Sequence, residues 1–113
     1  MRSRYIKSGD LAYTSTLDDV IISLCRDYDR REDVIRRAVC SERTAIEYRY
    51  LNYRIREAAI EIAGERLALP FIEDIGKKIG YARTDMAGFS EADYKCSKRL
   101  VKLGIARSLH LFD

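Results

Sequence analysis

The basic residues of the C-terminal third are the ones whose type and spacing could do chemistry. Three bases and no acid lie between Lys77 and Arg83, and five bases and no acid lie between Tyr94 and Ser108. The whole chain has a formal net charge of only +3, so its basic charge is concentrated here. Because ammonium and guanidinium groups neutralise phosphates, this pattern favours a nucleic acid as partner. The bases are Lys77, Lys78, Arg83, Lys95, Lys98, Arg99, Lys102 and Arg107.

The cysteines and the histidine have no spacing typical of a catalytic or metal-binding group. Cys25, Cys40 and Cys96 stand 15 and 56 positions apart without a CxxC pair, and His110 is the only histidine. A zinc site needs about four ligands at close spacing. The chain also lacks a Walker-type glycine loop and an HExxH sequence. We therefore expect no metal, no cofactor, no catalytic residue and no enzymatic activity. We also expect reduced thiols, as in a cytoplasmic protein.

A dense charged run at residues 26–33 has a structural explanation. Asp27–Arg31, Glu32–Arg36 and Asp33–Arg37 are acid-before-base pairs at i, i+4, the orientation that stabilises a helix. Each of these carboxylates has a base beside it and no histidine nearby, which disfavours metal binding or acid–base catalysis. The run therefore predicts a solvated helix face.

The composition predicts an all-α fold. The 113 residues are 47% hydrophobic and 35% charged, which is typical of a globular domain and excludes a disordered chain. One proline and six glycines leave few turns for a β-protein, and no apolar stretch reaches the roughly 18 residues of a membrane span. We expect a compact bundle of about four to six helices. An N-terminal arm (1–15) would precede a single helical domain (16–113), divided into a long-helix region (16–69) and a second region (70–113).

Capping residues and apolar spacing place the first helices. Thr16 is followed by acids in the next turn, which predicts a helix start there and an apolar stripe over 17–28. How this helix joins the apolar face at 34–39 stays open. Ser41 predicts a long helix from residue 42 to about 67, and Gly64 and Pro70 bracket its end.

Two shorter helical patterns follow. Apolar residues at 71, 72, 75 and 79 predict a one-faced helix that Gly80 stops. Ser90 is followed by acids at 91 and 93, which predicts an N-cap and a helix to about residue 109.

The long helix predicted from residue 42 carries aromatic and basic residues together. Its apolar stripe is broad, which is typical of a central helix or a partner surface. Tyrosine and arginine are enriched at interfaces, although helical spacing turns most of these tyrosines towards the core. Asn52 either sets the register of a helix pair or is simply exposed. The candidate dimer or partner surface consists of Tyr48, Arg49, Tyr50, Tyr53 and Arg56.

Residues 75–89 resemble the helix-turn-helix of bacterial DNA-binding regulators. That motif needs a small residue where its helices touch, a glycine at the turn, and two apolar residues further on. These positions are occupied by Gly76, Gly80, Met86 and Phe89, with Ile75 and Ile79 packing beneath. The chain is similar to small regulators of bacteria, phages and mobile elements, including phage late-gene activators that resemble a sigma-factor DNA-binding domain. The resemblance implies a C-terminal helix-turn-helix-like unit.

Two alternatives remain for the helix that would read DNA. In the first, it begins near Ala82 or Arg83, and residues 82, 83, 84 and 88 face base edges. Gly88 lies inside that short helix, which counts against it. In the second, residues 81–89 form an extended turn, and the helix from residue 91 enters the groove. The candidate DNA-binding residues of the two alternatives are Lys77, Lys78, Ala82, Arg83, Thr84, Lys95, Lys98, Arg99 and Lys102.

These observations lead to two expected functions. The first is a small DNA-binding protein, a transcription regulator that binds double-stranded DNA, as a homodimer if its sites are two-fold. RNA polymerase or another protein is a further expected partner. The second is a helical adaptor or inhibitor that binds a protein through the Tyr/Arg helix and does not bind nucleic acid.

Overall fold

Five α-helices and one 3₁₀ turn form the regular structure of the computed structural model, which describes residues 13–86 and 88–111. In chain order they are α1 (Ser15–Arg26), α2 (Tyr28–Arg37), α3 (Glu42–Ala63), α4 (Glu65–Gly76), the 3₁₀ turn (Tyr81–Arg83) and α5 (Glu91–Ser108). No described residue lies in a β-strand, so the all-α prediction is confirmed. Within the same ranges, no helix is long and apolar enough to cross a membrane.

Side-chain caps start three of the helices. The Ser41 hydroxyl accepts from the Thr44 N–H at 3.1 Å, and the Ser90 hydroxyl accepts from the Asp93 N–H at 3.1 Å, as the sequence predicts. The predicted cap at Thr16 is wrong, because α1 starts two residues earlier and its cap is Thr14. Residues 14 and 15 of the predicted arm therefore belong to the start of α1, and residues 1–12 lie outside the described residues.

The break between α1 and α2 is a single residue. Asp27 leaves the helical conformation (φ −89°, ψ 0°), and α2 follows at once. The second helix ends at Ala38, which adopts a left-handed φ of 56°. The apolar faces of the two helices are thus joined by a bend, which answers the question that the sequence left open.

The predicted end of the long helix needs correction. α3 stops at Ala63, where Gly64 has a φ of +89° that favours glycine. Pro70 does not end a helix but lies inside α4. It lacks an N–H, so the carbonyl of Arg66, on the exposed side of the molecule, loses its helical partner. The predicted helix over 71–79 accordingly starts at residue 65 and ends at residue 76.

α3 is the central helix of the bundle. Arg54 of α3 donates to Ser108 of α5. Further along α3, Ala58 and Ile62 lie against Gly104, which precedes Ser108 in α5. The two helices therefore run antiparallel. α2 packs against α3, and α1 crosses α4 near Gly76. Residues of all five helices share one apolar core. The burial of these side chains is the main force that holds the bundle together.

Candidate functional site

In the connection between α4 and α5, residues 77–86 and 88–90 are described and none of them lies in an α-helix. Residues 81–83 form one 3₁₀ turn, and Thr84 continues in an extended conformation (φ −75°, ψ 151°). The first alternative, an α-helix starting near Ala82 or Arg83, is therefore wrong. The left-handed residue of the turn is Lys78 (φ 56°), whereas Gly80 has an extended backbone (φ −92°). The geometry agrees with the second alternative, an extended turn followed by a helix from Glu91.

Gly76 lies at a close helix crossing, but the helix that it contacts is not the second helix of a helix-turn-helix. A Cβ atom at residue 76 would lie 2.6 Å from the backbone nitrogen of Arg26, closer than any real contact. The requirement for a small residue is thus confirmed, and the helix that imposes it is α1. The Arg26 side chain also donates to the Gly76 carbonyl at 3.2 Å. This crossing fixes where α4 ends and the connection begins.

A buried carboxylate holds the connection in place. Asp74 is only 6% exposed and accepts from the Thr84 hydroxyl at 2.5 Å and from the Tyr94 hydroxyl at 2.7 Å. The Tyr94 hydroxyl also lies 3.0 Å from the Ile79 carbonyl. Burial, followed by the hydrogen bond to Asp74, raises the pKa of Tyr94 to about 12. The prediction that Thr84 faces DNA bases is therefore wrong, because its hydroxyl points into the molecule.

Two of the predicted DNA-binding lysines hold α5 in place. The Lys98 ammonium donates to the Ile79 carbonyl and lies 5.5 Å from the centre of the Tyr94 ring. Burial lowers the pKa of Lys98. The Lys102 ammonium lies 3.0 Å from an Asp18 carboxylate oxygen, which ties α5 to α1. Both cations have structural partners, so they are poor candidates for primary phosphate contacts.

The other predicted cations are at the surface. Lys77 pairs with Glu73 at 2.7 Å and Lys95 pairs with Glu91 at 2.8 Å, but all four side chains are more than half exposed. Such pairs contribute little and exchange readily. Lys78, Ala82, Arg83 and Arg99 are also exposed. Neither Lys78 nor Arg83 has a carboxylate within ion-pair distance among the residues that the structure describes.

The charge of the molecule is divided unevenly along the chain. Ser15–Gly76 carries ten Lys/Arg and thirteen Asp/Glu, whereas residues 77–111 carry eight and three. The acidic surplus thus lies on α1–α4, and the basic surplus lies on the connection and α5. From the exposed residues of this segment we select five predicted DNA-binding residues and call them the basic face. They are Lys78, Ala82, Arg83, Lys95 and Arg99.

The Tyr/Arg helix is more exposed than its spacing predicted. Tyr50 and Tyr53 are 57% and 59% exposed, so the expectation that most of these tyrosines are core residues is wrong for them. Tyr48 is half-buried and lies 5.4 Å from the guanidinium of Arg30, measured to the ring centre. Tyr48 points to a different side from Tyr50 and Tyr53, because spacings of two and five residues on a helix turn the side chain by about 160° and about 140°.

A cleft of about 620 Å³ opens beside this helix. Arg49, Tyr53 and Arg56 line one wall, whereas Asp29 and Glu73 belong to the helices opposite. The predicted partner residues are thus split between this cleft and the outer side of α3, and they do not form one patch. Among the described residues no group of three or more His, Cys, Asp or Glu side chains could hold a metal ion.

Sequence reasoning missed the polar contact that joins α2 to α3. Arg31, only 3% exposed, donates to Asn52 at 2.6 Å and to the Leu24 carbonyl at 2.6 Å. Asn52 donates in turn to Glu32 at 2.8 Å, so Glu32 is engaged here and the predicted Glu32–Arg36 pair is replaced by an Asp33–Arg36 pair. Asn52 is buried, which excludes simple exposure. The signal was present in the sequence, as a lone asparagine within an apolar pattern.

No family model, curated protein or solved structure matches this chain.

Proposed function

We propose that this protein binds double-stranded DNA through the basic face and acts as a transcription regulator of a bacterium, phage or mobile element. The observation that carries the proposal is the uneven division of charge between α1–α4 and residues 77–111. A surplus of exposed cations on one part of a nearly neutral chain attracts a polyanion to that part. The fold gives those cations a fixed frame, because Asp74 and Tyr94 hold the connection against α5.

The charges along α5 favour DNA contact through the side of this helix over contact through its N-terminus. Glu91 and Asp93 occupy the first turn of this helix, where they stabilise it but repel phosphates. Lys95 and Arg99 follow one turn apart on the exposed surface. Lys78 and Arg83 would contact phosphates from the connection, and the small side chain of Ala82 leaves room for a backbone to approach. These phosphate contacts supply affinity and orientation, not sequence preference.

The first test compares two triple variants with the same charge change. The test variant is Lys78→Gln/Arg83→Gln/Lys95→Gln, and the control is Arg36→Gln/Arg37→Gln/Arg66→Gln, whose three arginines are exposed on α2 and α4. We expect the test variant to bind a random-sequence duplex about 100-fold more weakly at about 50 mM salt, since each lost phosphate contact costs roughly 1 kcal/mol. The control should stay within about twofold of wild type.

Equal losses in the two variants would mean that only net charge matters, which contradicts the proposed face. No binding by the wild-type protein at low salt would exclude the DNA-binding function altogether. Circular dichroism on both variants checks that the helices are intact, which we expect because all six side chains are exposed.

A second candidate function has an observation of its own. The exposed Tyr50 and Tyr53 on α3 favour a helical protein-interaction module that does not bind nucleic acid. The same DNA titration separates the two functions. A protein-interaction module of this kind would not bind the duplex, whether or not Lys78, Arg83 and Lys95 are substituted.

A further inference from the structure

An apolar ridge runs along the outer side of α3. Ile46, Tyr50 and Tyr53 are 56%, 57% and 59% exposed, and they recur at i, i+4 and i+7, so they lie on one face of the helix. Glu57 continues the same line. The opposite face of α3 is the one that enters the core, through Asn52, Ile55 and Ala59. Three neighbouring large side chains are therefore left in water on the central helix, which marks an interaction surface.

The two parts of α3 differ in charge. Residues 43–56 contain four arginines and one glutamate, whereas residues 57–63 contain two glutamates and no base. If two copies of α3 lie side by side in parallel, like charges face each other. If they lie antiparallel about an axis near residues 51 and 52, Arg43 of each copy faces the acidic end of the other, whereas residues 47–56 face the same segment of the partner.

We propose that the ridge binds the same ridge of a second copy of this chain, with the two α3 helices antiparallel. A two-fold axis near residues 51 and 52 places Tyr50 opposite the partner's Tyr53, and Ile46 over the methylenes of the partner's Glu57. Arg43 and Glu61 lie on the same flank of the ridge, eighteen positions apart, so each one faces the other across the axis. Aromatic contacts form the centre of this interface and the ion pairs form its rim.

The rim residues are available for this pairing. The Arg43–Glu47 ion pair is long, at 3.7 Å, and its side chains are 91% and 65% exposed, so it costs little to exchange. Glu61 is exposed. The ridge shares no residue with the basic face, so this inference stands whether or not the protein binds DNA.

A charge-swap experiment tests the orientation as well as the dimer. Arg43→Glu places like charges opposite each other at both ends of the interface, and so does Glu61→Lys. Each substitution also suits α3 itself, because an acid favours the start of a helix and a base favours its end. In sedimentation equilibrium we expect each variant alone to dimerise about tenfold more weakly than wild type. An equimolar mixture of the two should recover a dimer of near wild-type affinity, made of one chain of each kind.

The matched control is Arg83→Glu, which has the same charge change as Arg43→Glu but lies on the basic face. It should dimerise as wild type does. Tyr53→Glu places a charge at the centre of the ridge and should abolish the dimer while leaving the circular dichroism unchanged, because Tyr53 is more than half exposed.

Three results would overturn the proposal. The first is a wild-type protein that remains monomeric up to about 100 μM, where an interface of ordinary size would be occupied. The second is a dimer that survives Tyr53→Glu, which would place the contact elsewhere. The third is a failure of the charge-swapped pair to recover, which would exclude the antiparallel arrangement. Because none of these experiments contains DNA, their failure leaves the proposed DNA-binding function standing.

Discussion

The α2 helix and the basic face are both dense in cations, but they use them differently. In the α2 region two acids each bind two bases: Asp27 binds Arg30 and Arg31, and Asp33 binds Arg36 and Arg37. In the connection after α4, no carboxylate of the described residues lies within ion-pair distance of Lys78 or Arg83. The density of cations along the sequence is similar in the two regions, at five of the twelve residues 26–37 and three of the seven residues 77–83. A cation without a neighbouring carboxylate attracts an anionic partner more strongly than a paired cation does.

One cation in or beside each of these regions, buried Arg31 and half-buried Lys98, has a structural role. Arg31 donates to the Leu24 carbonyl and fixes the bend between α1 and α2, and burial lowers its pKa. Lys98 donates to the Ile79 carbonyl and fixes the connection between α4 and α5. Removing such a cation is costly because the backbone carbonyl loses a charged hydrogen-bond donor. In both regions a cation fixes the backbone by donating to a carbonyl group. The regions differ in the cations that they leave at the surface.

The largest expected effect comes from breaking the crossing that supports both regions. In Gly76→Val, the new side chain collides with the backbone of Arg26 on α1, and neither backbone can move without separating the helices. We expect a loss of about 3–5 kcal/mol in the free energy of unfolding, measured by urea denaturation. The matched control is Gly80→Ala, where nothing lies within 4 Å and φ is −92°. A change of more than about 1 kcal/mol in that control would contradict the observed backbone there.

The second prediction concerns the buried contact between Asn52 and Arg31. Asn52→Ala removes the side chain that accepts from Arg31 and donates to Glu32 and the Tyr28 carbonyl. Because Arg31 then keeps its charge in a buried site with one partner fewer, we expect a loss of about 2–4 kcal/mol in thermal or urea unfolding.

The control for that experiment is Arg36→Gln in the same region, which breaks only an exposed pair with Asp33 and should cost less than about 0.5 kcal/mol. Similar losses in the two variants would show that exposed pairs matter as much as the buried contact, against the interpretation of the α2 run as a largely solvated face.

A smaller effect concerns the connection and can be followed by pH. Tyr94→Phe removes the hydroxyl that bonds Asp74, at an expected cost of about 1–2 kcal/mol near pH 7. The pKa of Tyr94 is raised from 10.0 to about 12 by folding, so the neutral hydroxyl stabilises the fold below pH 10. That contribution disappears as the pH rises from 10 to 12. The difference in unfolding free energy between wild type and variant should shrink over this range, and a constant difference would exclude Tyr94 as the titrating group.

The parts of the fold that depend on local sequence could be predicted, and the parts that depend on distant contacts could not. Ser41 and Ser90 cap their helices as expected because a cap needs only the next three residues. Pro70 lies inside α4 although its local preference is to end a helix, since packing of Phe71, Ile72 and Ile75 outweighs that preference.

The same distinction explains the predicted site. The need for a small residue at 76 was visible in the sequence, but its cause is α1, fifty residues earlier in the chain. Thr84 and Lys98 matched a DNA-binding pattern by type and spacing, yet they bind Asp74 and the Ile79 carbonyl, contacts that only the folded connection creates. Lys78 and Arg83 are surface cations without such contacts, so they remain candidates for DNA binding.

The most direct test of DNA binding by the basic face is the salt dependence of that binding. The dissociation constant for a random-sequence duplex would be measured from about 50 to 200 mM salt, for wild type and for Lys78→Gln/Arg83→Gln/Lys95→Gln. Each phosphate contact contributes roughly 0.9 to the slope of log Kd against log salt concentration, so the slope should fall by about 2.7 in the variant. An unchanged slope, or no binding by the wild type at about 50 mM salt, would contradict this function for the basic face.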